Sequence, residues 1–221
     1  MPAKRAYTDH GDACATAHAM ELLGDRWTYP VLRELMLAPK RFNELAEGVR
    51  GVTPAVLTAR LRELEAVGLL ERVELPAPAR ATGYRVTDWG RELGPVFSAL
   101  GRWAQASPVW RPHGCGLTPD AAVQSMLTMA PAVVLDPPVQ LQLRLRDGRI
   151  ADSQLYTYRL DWAAELSITR DPAPAAHATV TGDSTTWIGV LYEGVPLTEV
   201  QVEGDPAEVR RVVSFFTHSA Q

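Results

Sequence analysis

Apolar residues recur every three to four positions through roughly the first hundred residues and every second position through parts of the last hundred, and this change of period divides the chain. An apolar stripe runs from Ala13 to Leu23 and stops at Gly24, a common C-cap residue. Asp25 then caps a second helix, predicted over Trp27 to Leu37, with Val31, Leu32, Leu35 and Met36 facing inward. Phe42 to Val49 predicts a third helix. The stretch "TPAVLTARLRELEAVGLLER" holds the fourth: Thr53 is its N-cap, Pro54 occupies the first helical position, where a missing N–H costs nothing, and Gly68 ends it. Leu70 to Leu75 reads as a strand, PAPARATG as a turn carrying Arg80, and Tyr84-Arg85-Val86 as the start of a return strand. A long helix from Thr87 to about Ala106 follows.

The segment SPVWRPHGCGLTP, with three prolines and two glycines, then breaks the helical pattern. It sets the expected organisation: a domain over residues 1–110, a linker over 111–118 and a second domain over 119–221. The second domain begins with a helix, Pro119 to Met129, after which Val139, Leu141, Leu143 and Leu145 alternate with Gln140, Gln142, Arg144 and Arg146, as in a half-buried strand. Arg146-Asp147-Gly148-Arg149 reads as a hairpin turn into a strand from Arg149 to Leu160. Further strands are predicted over Ala164 to Arg170, Ala176 to Thr181 and Thr198 to Glu203, with a helix near Thr185 to Tyr192 and a last helix that Asp205 caps. The fold class is therefore α+β.

An apolar content of 46% with 22% charged residues is that of an ordinary globular protein, and no apolar run reaches the roughly 20 residues that span a bilayer. The start MPAKRAYTDHGD has no apolar core of a signal peptide, so a cytoplasmic location without membrane contact is expected. Two cysteines, Cys14 and Cys115, are too few for a disulfide scaffold. The net charge of −4 is uneven: residues 1–112 carry +2 and residues 113–221 carry −6. Only the first domain is therefore suited to a polyanion.

Three helices and a two-stranded hairpin with a basic tip form the order of a winged helix-turn-helix, whose second turn-unit helix enters the major groove of double-stranded DNA. On Thr53 to Val67, Leu57, Leu61 and Leu64 share one face, and Ala55, Thr58, Ala59 and Arg62 project from the other. Small residues there permit close approach to base edges, with Thr58 and Arg62 as contacts and Arg60 on the flank aimed at a phosphate. Lys40, Arg41, Arg80 and Arg85 complete an expected grip on the backbone, which positions a protein without reading sequence. A small helical domain with arginines on a solvated face is the plainer alternative.

Residues 14–106 resemble the HxlR family of bacterial winged-helix regulators, relatives of the MarR type. The resemblance lies in Cys14 ahead of the first helix, in "LLGDRWTYPVLRELMLAPKRFNELAEGVRGVTPAVLTARLRELEAVGLLER" and in "YRVTDWGRELGPVFSALGRWA". It implies a homodimer on a palindromic operator, with Thr53, Pro54 and the rest of that helix reading DNA and Leu70 to Val86 as the wing. Leu93, Val96, Phe97, Leu100 and Trp103 form the apolar stripe such a dimer would cover. The wing departs from the family in its proline- and alanine-rich tip.

"ATVTGDSTTWIGVLYEGVPLTEVQVEGDPAEVRRVVSFF" resembles the C-terminal part of sterol carrier protein domains, where an antiparallel sheet and helices enclose an apolar cavity. The implied lining is Leu143, Leu166, Ile168, Trp187, Leu191 and Phe216, with Tyr156 and Tyr158 as polar groups that orient a hydrophobic small-molecule effector. Taken one at a time, each of these residues is better explained as plain core.

No phosphate-binding loop, nucleophile elbow or pair of metal-spaced ligands is present, so no enzyme activity, cofactor or metal is expected. Cys14 stands where redox- and electrophile-sensing members of the HxlR family keep their switch, and a helix N-terminus favours its thiolate; a small buried interface residue is the alternative. Three functional readings remain open. They are a repressor released by an effector, a thiol-switch regulator acting through Cys14, and a lipid carrier whose winged helix serves only to dimerise it.

Overall fold

The structure, a computed structural model, describes residues 7–75, 81–109 and 116–217, and the chain divides into two compact units, Met1–Leu93 and Gly94–Gln221. In the first unit a short 3-10 turn, Tyr7–His10, precedes helices α1 (Ala15–Leu23), α2 (Thr28–Leu35), α3 (Phe42–Gly48) and α4 (Pro54–Ala66). Strands β1 (Leu70–Leu75) and β2 (Ala81–Val86) pair antiparallel, with Leu70 opposite Val86 and Leu75 opposite Ala81. The core is built from one stripe of each helix: Val31, Leu32 and Leu35 of α2, Leu45 of α3, and Leu57, Leu61 and Leu64 of α4 are all buried. Gly68 ends α4 with φ of +77°, its N–H donating to the Glu65 carbonyl and that of Leu69 to Leu64, a Schellman closure that turns the chain into the wing.

Beneath the wing lies a buried ion pair. Lys40 Nζ is 2.6 Å from Glu34 Oε2, and both residues are excluded from solvent. The Lys40 backbone adds a short bridge to the wing, its N–H donating to the Tyr84 carbonyl at 3.0 Å and its carbonyl accepting from the Tyr84 N–H at 2.8 Å.

Instead of one long helix after the wing, α5 (Asp88–Arg91) and α6 (Leu93–Gln105) are separated at Glu92. Pro95 explains the break, because it offers no N–H to the Arg91 carbonyl and its ring crowds that oxygen.

The second unit contains α7 (Pro119–Met129), strands β3 (Val139–Arg146), β4 (Tyr156–Trp162), β5 (Leu166–Thr169) and β6 (Ala178–Asp183), then α8 (Ser184–Tyr192), β7 (Gln201–Gly204) and α9 (Pro206–Thr217). Its sheet has the order β5-β4-β3-β6-β7. The sheet is mixed rather than antiparallel as expected, since β3 and β6 run parallel, with Leu141 opposite Ala178 and Leu143 opposite Val180. One face, bearing Leu141, Leu143, Tyr158, Leu160, Ile168 and Val180, is buried under α7, α8 and α9. The other carries Gln140, Gln142, Arg144, Thr157, Arg159 and Thr179.

The tight hairpin expected at Arg146–Arg149 is a longer connection, and β4 begins at Tyr156 rather than Arg149. Asp147 organises it: its carboxylate accepts from the Arg149 backbone at 3.0 Å, from Nε at 2.7 Å and from Nη2 at 2.6 Å, while its carbonyl accepts from Ser153 Oγ. These bonds satisfy polar groups that a two-residue hairpin would have left to strand pairing.

Removing one partner of a buried ion pair strands the other charge. Lys40→Met is therefore expected to lower the unfolding free energy by about 3 kcal/mol in urea titration, and a Glu34→Met/Lys40→Met double variant to recover most of the loss. Equal losses in the single and double variants would show that the charge pairing itself is not what matters.

Candidate nucleic-acid interface

Helix α4 is positioned by its leucine stripe and by its N-terminus. Thr53 Oγ1 accepts from the Val56 N–H at 3.4 Å, Pro54 fills the first helical position, and Gly51, with φ of +84°, makes the turn from α3. Ala55, Ala59 and Arg62 are then exposed on the side opposite Leu57, Leu61 and Leu64, with Thr58 half-buried beside them. Arg62 has no ion pair among the described residues, so its guanidinium is free to meet a ligand.

Two cations assigned to backbone contacts are otherwise engaged. Lys40 is buried against Glu34, where its ammonium cannot reach a phosphate. Arg60 does not sit open on the flank: Nη2 is 2.7 Å from Asp25 Oδ2 and Nη1 is 2.7 Å from Glu63 Oε2, so it ties α4 to the start of α2. Lys40 is captured by an acid inside the domain, and Arg60 by acids at its surface. Arg85 lies exposed on β2 and pairs with Glu71 directly across the hairpin at 2.7 Å. Arg41 caps α3, its N–H donating to Glu44 Oε2 at 2.8 Å. Arg80 lies outside the described residues.

Sequence reasoning missed two residues of this surface. Arg50, in the turn before α4, is exposed and has no ion pair among the described residues. Val56 is 42% exposed on the first turn of α4, although an apolar side chain at that place reads as core. No local signal in the sequence marks either residue, since Arg50 has Glu47 three positions before it and Val56 sits in an apolar pattern.

Cys14 is exposed at the N-cap of α1, and its N–H donates to Asp12 Oδ1 at 2.8 Å. The backbone N–H groups of Ala17 and Thr16 point at its sulfur and hold the thiol below its ordinary pKa, as a helix terminus does for an anion. No residue of α1 or α6 is buried, and Val96, Leu100 and Trp103 of α6 leave a large apolar stripe open, with Trp103 76% exposed.

In the second unit the residues expected to line a cavity are brought together on one layer, but six of them, Leu143, Tyr158, Ile168, Trp187, Leu191 and Phe216, are buried as packed core. Phe216 meets Tyr192 edge-on and Trp162 at 5.9 Å. Tyr156 and Leu166 are half-buried at its margin. A polar cluster sits inside this apolar layer: Tyr158 Oη donates to buried Asp120 Oδ1 at 2.6 Å, Arg170 Nη1 is 3.5 Å from Asp120 Oδ2, and the same guanidinium lies 4.0 Å over the Tyr156 ring. Burial also pushes the pKa of Tyr192, which accepts from Ser125 Oγ, up to about 12. Among the described residues no three His, Cys, Asp or Glu side chains converge as a metal site, and no helix is long and apolar enough to cross a membrane.

A helix presented by a preceding helix and flanked by an antiparallel wing defines a winged helix-turn-helix protein. The HxlR-like helix-turn-helix family matches residues 22–109. An uncharacterized HTH-type transcriptional regulator of Mycobacterium tuberculosis is 34% identical over 110 residues, covering 46% of this chain and 69% of its own length. The HTH-type transcriptional regulator YodB of Bacillus subtilis is 37% identical over 86 residues, 39% of this chain and 77% of YodB. The reduced form of YodB, as a solved structure, shares 33% identity and covers 44% of this chain and 97% of its own, with a TM-score of 0.40. The chain belongs to the HxlR-like helix-turn-helix family of transcriptional regulators.

A depressed thiol pKa enlarges the thiolate fraction at neutral pH. In a Cys115→Ser background, the pH midpoint for alkylation of Cys14 by iodoacetamide is expected to lie below that of the same protein unfolded in urea. Coincident midpoints would mean that the α1 terminus does not act on the sulfur.

Proposed function

We propose that the protein is a dimeric, sequence-specific repressor that places α4 in the major groove of a palindromic operator and answers to a hydrophobic small molecule through its C-terminal unit. The observation that carries the DNA reading is the open face of α4. Its small residues and free Arg62 face outward, while the neighbouring cations Lys40 and Arg60 are held by acids. Arg50 and Arg85 flank that face and supply phosphate contacts. The uncovered stripes of α1 and α6 favour a two-fold partner, which would space two copies of α4 about one helical turn apart.

The second unit is suited to sensing. Its apolar sheet face lies under three helices, a layering that supports a lipid-like ligand between sheet and helices, and the Asp120–Tyr158–Arg170 cluster would offer polar partners to an amphipathic molecule entering that layer. Helix α6 supplies a route to the dimer: Arg102 Nη1 donates to the Thr128 carbonyl of α7 at 3.0 Å, and Gly101 leaves no room between its backbone and the Thr128 methyl for a Cβ.

A thiol switch is the second reading, favoured by the exposed, acidified Cys14. A relative with a described reduced form, YodB, lends it support.

Selection of genomic fragments by the full chain at two salt concentrations should recover discrete palindromic sites at the higher salt, because nonspecific phosphate contacts weaken more steeply. Arg62→Ala is expected to cost about tenfold in operator affinity without loss of stability, and Arg60→Ala to lower stability first. Binding that fades uniformly with salt would reduce the winged helix to a dimerisation scaffold. For the effector, a fluorescent fatty-acid probe should bind the full chain saturably and lower its operator affinity. Saturable binding with no change in operator affinity would separate the C-terminal unit from regulation.

A further inference from the structure

The groove-facing turns of α4 expose almost no polar atoms. Ala55 and Ala59 are exposed, and Val56 stands beside them at the third helical position, 42% exposed. Thr58, which sequence reasoning assigned as a hydrogen-bonding contact, donates its hydroxyl proton to the Pro54 carbonyl of its own helix at 2.8 Å. That bond fixes the stiff β-branched side chain and commits its only proton, so Thr58 has no donor left and presents its methyl group beside an oxygen that can only accept. The first two turns therefore offer an almost continuous methyl surface, and Arg62 on the next turn is the first outward side chain of α4 with free N–H donors.

A helix that reads bases by hydrogen bonds carries Arg, Asn, Gln or free hydroxyls on these turns, matched to the N7, O6 and N6 groups of purines. The one apolar group that a base pair shows in the major groove is the C5-methyl of thymine. Small side chains let the helix approach closely enough to touch it. Exposed Arg62 and Arg50 bracket the methyl surface with positive charge, so its occupant is a polyanion rather than an apolar protein partner.

We propose that α4 reads its operator chiefly through thymine methyl groups, with Val56 as a specificity-determining residue and Arg62 supplying the hydrogen bonds. This rests on the operator reading above and names what that reading recognises: half-sites with thymines at fixed positions opposite Ala55, Val56, Thr58 and Ala59.

The test uses the full chain and two random-sequence duplex libraries, one synthesised with thymidine and one with deoxyuridine, which differ only in the C5-methyl. The best site from the thymidine library is then remade with single deoxyuridine replacements. Wild type should lose about fourfold in affinity at each contacted thymine, the effect of one buried methyl group. Val56→Ala keeps a good helix former at an exposed position and so folds; it should bind the thymidine and deoxyuridine versions of one position per half-site equally. Thr58→Val should bind within about twofold of wild type, because the hydroxyl it removes faces its own helix.

A specific site bound equally well in both chemistries would overturn methyl reading while leaving the operator reading intact. So would a Val56→Ala variant that keeps the full wild-type deoxyuridine pattern, or a Thr58→Val variant that loses tenfold or more. If neither library yields a specific site, the operator reading itself fails and methyl reading goes with it.

Discussion

The DNA-binding unit depends on a charge pair that DNA never meets. Glu34 on α2 and Lys40, just ahead of α3, are buried together at 2.6 Å, and the Lys40 backbone pairs with Tyr84 of the wing in both directions. Gly48 at the end of α3 leaves space that the Glu34 carboxylate fills, and Gly83 of β2 lies against the Lys40 carbonyl. A buried charge is tolerated only while its partner and hydrogen bonds stay in place, so a shift of α2, α3 or the wing would disturb all three at once. The angle between α4 and the wing, which decides whether both can reach one duplex, is fixed by this lock together with the Arg60–Asp25 tie between α4 and the start of α2.

The same lock sorts the basic residues into two groups. Lys40 and Arg60 hold the scaffold together, and Arg50 and Arg62 stand open to solvent without ion pairs among the described residues. In the sequence the two groups look alike, because a cation's role depends on where the acids lie in space. Asp25 is 35 positions from Arg60, and no periodicity argument reaches that far. What periodicity does fix is the helical stripe: the leucines of α4, its N-cap Thr53 and its closing Gly68 all read correctly from spacing and cap chemistry. Val56 escaped because the apolar pattern identifies residues that prefer burial and is silent about an apolar residue left exposed.

In the second unit the alternation of β3 pointed to the right face of the sheet, since Val139, Leu141, Leu143 and Leu145 are all buried. The parallel pairing of β3 with β6 was not legible, because the two strands are separated by two others and no local turn chemistry records their register. The connection after β3 misled for a different reason. Asp-Gly is a strong hairpin signal, and here the Asp147 carboxylate instead folds back on Arg149 and holds an open loop.

Helix α6 joins these observations. Nearly all of it belongs to the compact unit Gly94–Gln221, yet it lies within the segment matched by the helix-turn-helix family. Its apolar stripe is open, whereas its other contacts, through Gly101 and Arg102, run to Thr128 at the end of α7. Arg102 and Gly101 therefore tie α6 to α7 at a single point, the C-terminal end of α7. That single contact is the place where a change in the packing of α7 on the sheet would be felt by α6.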